Sequence, residues 1–184
     1  MITQDTSVCG CCFGEPFFER NDNIMSNLLA DDVRKVHERS FATIREIAEA
    51  FPEDKWLKPH GDDYYIPSRI AYHIANFIDG AVAGGFSDPD FRSKAPFGSW
   101  IEGTAETLPN KADFIAYLDG VIARANAELA KLDDAAVTAA TEPAKARMGA
   151  TQVGAFMGVM REIAAHTGEM NKMLVDDGLD DIWR

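Results

Sequence analysis

Apolar residues recur every three or four positions across residues 26–51, at Leu29, Val33, Val36, Ser40/Phe41, Ile44, Ile47/Ala48 and Phe51. That stripe predicts an amphipathic helix. Asp31 and Asp32 suit the positive end of its dipole, and Pro52-Glu53-Asp54 breaks the pattern. Residues 56–65 read as a connection rich in Gly, Asp and aromatics. A second helix is expected from Pro67-Ser68, where proline fits the first turn, to about Gly84-Gly85. At about 100° per residue, Ile70, His73, Ile74, Phe77 and Ala81 share one face, while Arg69, Tyr72, Asn76 and Asp79 share the other. His73 is thereby predicted to point inward. Residues 87–110, with three prolines and two glycines, read as an irregular link with one short turn near Ser99-Trp100-Ile101.

A third helix is predicted over residues 111–132, with Asn110 as its cap and Phe114, Leu118, Val121, Ile122 and Leu129 on its buried stripe. Thr141-Glu142-Pro143 interrupts an Ala-rich stretch, so residues 133–149 read as a mixed connection. A fourth helix covers residues 151–175 and closes at Asp176-Asp177-Gly178. Four amphipathic helices, long connections and no alternating strand pattern specify an all-α fold, a four-helix bundle. The expected organisation is a flexible N-terminal leader over residues 1–25 and one bundle domain over residues 26–184.

The chain has 184 residues, 46% of them hydrophobic and 26% charged, which suits one globular domain with a sizeable core. A formal net charge of −12, with scattered Lys and Arg, argues against nucleic acid and against acidic membrane surfaces. No apolar run approaches the roughly 18 residues of a spanning helix, and the amino end lacks the apolar stretch of a signal peptide. A cytoplasmic location is expected. The three cysteines crowd into Cys9-Gly10-Cys11-Cys12, so no structural disulfide framework is available. They form either a soft-metal or redox cluster or a reduced leader segment.

Candidate chemistry sits on the second and fourth helices. With Val153 as origin, Phe156, Met160, Ile163, Thr167, Met170 and Leu174 fall on one apolar face, with His166 inside its edge and Glu162 one turn back. The i, i+4 spacing puts Glu162 and His166 over the same helix surface, where both can reach one ion. Joined by His73, they make three ligands with positions left for water, the pattern of a catalytic metal site. The plainer alternatives are a hydrogen-bonded core histidine and a Glu162 paired with Arg161 or Lys172. His37, near the stripe of the first helix, reads as a core or surface residue, and His60 as a loop residue.

Pro52-Glu53-Asp54-Lys55-Trp56, then Ser68-Arg69-Ile70-Ala71-Tyr72-His73-Ile74, then Ala165-His166-Thr167-Gly168-Glu169-Met170-Asn171-Lys172-Met173-Leu174 and Ile182-Trp183-Arg184, follow one another in an order that resembles the DinB/YfiT-like superfamily. The likeness covers nearly everything after Ser26. It implies a four-helix bundle whose pocket holds a divalent ion on three histidines, one from the second helix and two, four residues apart, from the last. His73 matches the first ligand, His166 the last, and Gly168-Glu169 the Gly-Gln/Glu step that follows. Glu162 stands where the superfamily usually has histidine, which replaces a neutral nitrogen by an anionic oxygen and shifts the site toward harder ions or weaker binding.

The resemblance implies a metal-dependent thiol S-transferase, with Zn, Ni, Mn or Fe lowering the pKa of a low-molecular-weight thiol such as bacillithiol or mycothiol. A metal-activated water performing hydrolysis uses the same parts. Glu169 is a candidate partner of His166, or else solvent-facing. The rival class is a non-catalytic bundle that binds a small molecule or serves a stress-related interaction, with a degenerate metal site. A homodimer is expected in either case, as is common in the superfamily.

Overall fold

A computed structural model describes residues 27–182. The leader over residues 1–25, with Cys9, Cys11 and Cys12, lies outside the described residues, as do Trp183 and Arg184. Among those described the fold is all-α: six helices, no strand, and two isolated bridges, His60–Asp62 and Ala140–Thr151. Four helices are long: α1 (Leu28–Ala50), α3 (Pro67–Ala81), α4 (Lys111–Leu129) and α6 (Gln152–Asp176). Two are short: α2 (Glu53–Trp56) and α5 (Asp134–Thr138). Both lie in stretches expected to be connections. Asp133, whose side chain accepts from the Ala136 amide at 2.7 Å, is the local signal that α5 could have been read from.

The long helices form a closed ring of neighbours, with α1 and α3 each packed against both α4 and α6. Their apolar stripes fill one core, in which Phe41, Ile44 and Ile47 of α1 meet Ile74 and Ile78 of α3, Phe114 and Leu118 of α4, and Ile163 and Met170 of α6. Such burial contributes roughly 1.5–3 kcal/mol per large side chain before ordering costs. Helix ends are satisfied across the fold. Arg34 donates to the Leu132 carbonyl at 2.8 Å beyond the end of α4, Asp134 accepts the Ala30 amide at 2.8 Å, and Lys111 donates to the Phe51 carbonyl at 2.7 Å. Carbonyls left over at a helix end attract cations, and the first amides attract anions.

Two expectations of the periodicity are corrected. Val36, placed on the buried stripe of α1, is 47% exposed. Tyr72, placed on the polar face of α3, is fully buried. The second has a clear cause: the polar face of α3 does not meet solvent but carries the 87–110 link and α4. The Tyr72 hydroxyl donates to the Gly98 carbonyl at 3.2 Å, and Arg69 donates to the Gly103 carbonyl at 2.5 Å. Asp79 accepts from the Tyr117 hydroxyl at 3.1 Å and pairs with Arg124 at 2.9 Å. α3 is thus buried nearly all round. Among the described residues no helix is long and apolar enough to cross a membrane.

Candidate metal centre

α3 and α6 are neighbours, and their packing brings His73 to His166 with ring centres 4.8 Å apart at 80°. Each ring comes from an inward-facing position of its helix. Glu162, one turn before His166 on α6, places a carboxylate oxygen 3.7 Å from His166 Nε2. One donor atom from each of the three residues lies within 4.8 Å of the others. Donors bound to one ion at about 2.0–2.2 Å sit no more than about 4.4 Å apart, so a small inward movement of side chains closes the set. His73, Glu162 and His166 could therefore hold one metal ion, as the sequence predicts.

The surroundings prepare each donor. His166 Nδ1 lies 2.8 Å from a Glu169 oxygen. A carboxylate accepts only, so Nδ1 carries the proton and Nε2 turns its lone pair toward Glu162 and His73. A carboxylate behind an imidazole fixes its tautomer and ring orientation. Glu169 thus pairs with His166 while its side chain stays partly open to solvent. Arg161 donates to Glu162 at 2.6 Å through one oxygen, while the other faces His166. The ion pair leaves the second oxygen available to an ion. Lys172 pairs with Asp176 at 2.6 Å instead.

Burial pushes the His73 imidazole down to a pKa of about 4, with the neighbouring His166 adding to the shift and the Glu162 charge opposing it. A neutral imidazole is the form that ligates. Trp100 stacks on His73 with ring centres 3.9 Å apart. The two anchors on either side of it, Tyr72 to Gly98 and Arg69 to Gly103, hold that stretch of the link on α3. The local sequence signals the turn at Trp100 but not its place over His73, because nothing local tells where a link docks.

A cavity of about 820 Å³ opens beside the triad, lined by His73 and Glu162 and by Phe77, Phe86, Trp100 and Arg161. Its size matches sites that enclose small molecules. The donor chemistry fits a divalent ion: two imidazoles and one carboxylate, the outer nitrogen of His166 held by an acid, and polar groups facing an accessible hollow.

The other histidines lie elsewhere. His37 is buried in α1, its Nδ1 donating to the Val33 carbonyl at 2.8 Å and its ring edge against Phe41 and Phe156. Its Nε2 is buried without a hydrogen-bond partner, and burial lowers its pKa against the opposing pull of the Val33 carbonyl. It is a core residue, one of the two roles the sequence left open. His60 lies 3.9 Å from Asp177, away from the cavity. Compared with protein-family models, curated proteins and solved structures, the chain matches none.

Proposed function

We propose that this protein is a divalent-metal-dependent enzyme of the DinB/YfiT-like kind, folded as that superfamily's four-helix bundle, which activates a low-molecular-weight thiol or a water for attack on a small electrophile. The carrying observation is the convergence of His73, Glu162 and His166 beside a cavity large enough for a substrate. When bound, a divalent ion supplies Lewis acidity and lowers the pKa of a thiol or water in its open positions. The donor set of two nitrogens and one oxygen accepts Zn, Ni, Mn or Fe.

The side chains supply the rest. His73, neutral through burial, and His166, fixed by Glu169, present lone pairs, and Glu162 adds the negative charge that offsets a dication. Trp100 covers one face of His73 and keeps water from it. Phe77 and Phe86 form an apolar wall that holds the body of the electrophile against the reacting end. In transfer, a sulfur–carbon bond forms as the leaving group departs with its electron pair and the thiol proton passes to solvent. In hydrolysis, water takes the place of the thiol.

A cytoplasmic location suits a reaction that needs a reduced thiol, and a homodimer is the expected assembly. The test is metal-loaded protein mixed with bacillithiol or mycothiol and monobromobimane. Thioether formation faster than with the His73→Ala variant supports transfer; acceleration of p-nitrophenyl acetate hydrolysis alone, lost in that variant, supports the hydrolase form. Equal rates for wild type and variant in both assays contradict an enzyme. They leave the second reading, a non-catalytic small-molecule-binding bundle, which the size of the cavity by itself favours.

A further inference from the structure

The chain carries 30 acidic against 18 basic residues, yet the cavity beside the triad is lined by three arginines, Arg92, Arg147 and Arg161, against one carboxylate, Glu162. Glu162 is held by Arg161. Arg92 and Arg147 have neither an ion pair nor a side-chain hydrogen bond among the described residues. They arrive from distant parts of the chain, Arg92 in the 3₁₀ turn Phe91–Lys94 and Arg147 just after the 3₁₀ turn Pro143–Lys145. Both also line a smaller adjoining hollow of about 310 Å³. The acid of that hollow, Asp88, is bound to Lys94 at 2.7 Å. Two guanidiniums therefore face the same space with no acid to neutralise them. In a chain rich in carboxylates, that is the reverse of what random surface pairing produces.

We propose that Arg92 and Arg147 form an oxyanion clamp that binds the carboxylate or phosphate tail of the small molecule admitted to this cavity. Guanidinium is permanently charged and offers a planar fork of donors that matches both groups. The aromatic wall between clamp and triad takes the apolar body of the ligand, so that its other end lies at His73 and Glu162. The molecule as a whole repels anions, so attraction is confined to the clamp and weakens with added salt. The inference rests on the reading of the cavity as a substrate site and specifies the substrate's charge.

Succinate and inorganic phosphate, titrated into chelator-treated protein by calorimetry, test the clamp without the metal, and neutral succinamide serves as the control. One of the two oxyanions binds once per chain and succinamide does not. The Arg92→Gln/Arg147→Gln variant, both positions exposed and its fold checked by circular dichroism, weakens that binding by about tenfold or more. The Lys35→Gln/Arg39→Gln variant, with the same change in net charge on the exposed face of α1, leaves it unchanged. The titration uses chelator-treated protein, so a protein that takes up no metal on reloading but still binds the oxyanion through its arginines keeps the clamp and loses the metal reading. The clamp is overturned if neither oxyanion binds, if the arginine variant binds as the wild type does, or if both charge variants weaken binding equally.

Discussion

At the scale of single residues, the centre depends on groups that touch no substrate. Glu169 acts through His166 by fixing its tautomer, so Glu169→Ala weakens metal affinity by about 10–100-fold in a competitive chelator titration while leaving α6 folded. An unchanged affinity would show that the pairing is incidental. His73 also sets a pH dependence. In the unfolded chain its imidazole takes a proton near 6.5, but in the fold only near 4, with burial as the main cause. Between those values the unfolded state binds a proton that the folded state does not. The metal-free protein therefore loses stability as pH falls from about 6.5 to about 4, with no such loss above that window. His37, whose pKa is lowered by burial, acts in the same direction. Urea midpoints at pH 7 and pH 5 should differ less in His73→Gln than in the wild type, and equal differences would contradict the assignment.

At the scale of elements, periodicity located the four long helices to within a few residues, because each buries a stripe that repeats at the helical period. α4 begins at Lys111, as its cap predicts: the Asn110 side chain accepts the Asp113 amide at 2.9 Å. Asn110→Ala costs about 1 kcal/mol in denaturant unfolding and leaves metal affinity alone, since the cap lies away from the triad. The pairing of His73 with Glu162 and His166 was also legible, because an inward residue on one helix must meet its neighbour's inward residues. What could not be read is how connections return to the helices. Tyr72 and Arg69 sit on a polar face that, without the 87–110 link, would be solvent-exposed, and their hydrogen bonds to Gly98 and Gly103 are non-local. Trp100 over His73 and Arg92 in the cavity follow from that docking, whereas Arg147 arrives from the 143–149 connection. Tyr72→Phe keeps the ring and deletes the anchor, so it should cost about 1 kcal/mol and expose Trp100, seen as a red-shifted fluorescence. Unchanged emission would separate the anchor from the placement of Trp100.

At the scale of the whole molecule, a ring of four helices leaves a hollow beside α3, α6 and the 87–110 link, and His73 and Glu162 open onto it. The overall acidic charge repels anions, so the attraction of the proposed clamp is confined to that hollow. The core itself, from Phe41 through Met170, does not need an ion to be complete. Metal loss should therefore silence the site without unfolding the protein. The most direct measurement is elemental analysis of protein purified without chelator, alongside His73→Ala, His166→Ala and the remote His60→Ala. One equivalent of a divalent metal per chain, lost in the first two variants and kept in the third, is the predicted result; no metal in the wild type after reloading and desalting, or undiminished metal in both triad variants, would contradict the centre.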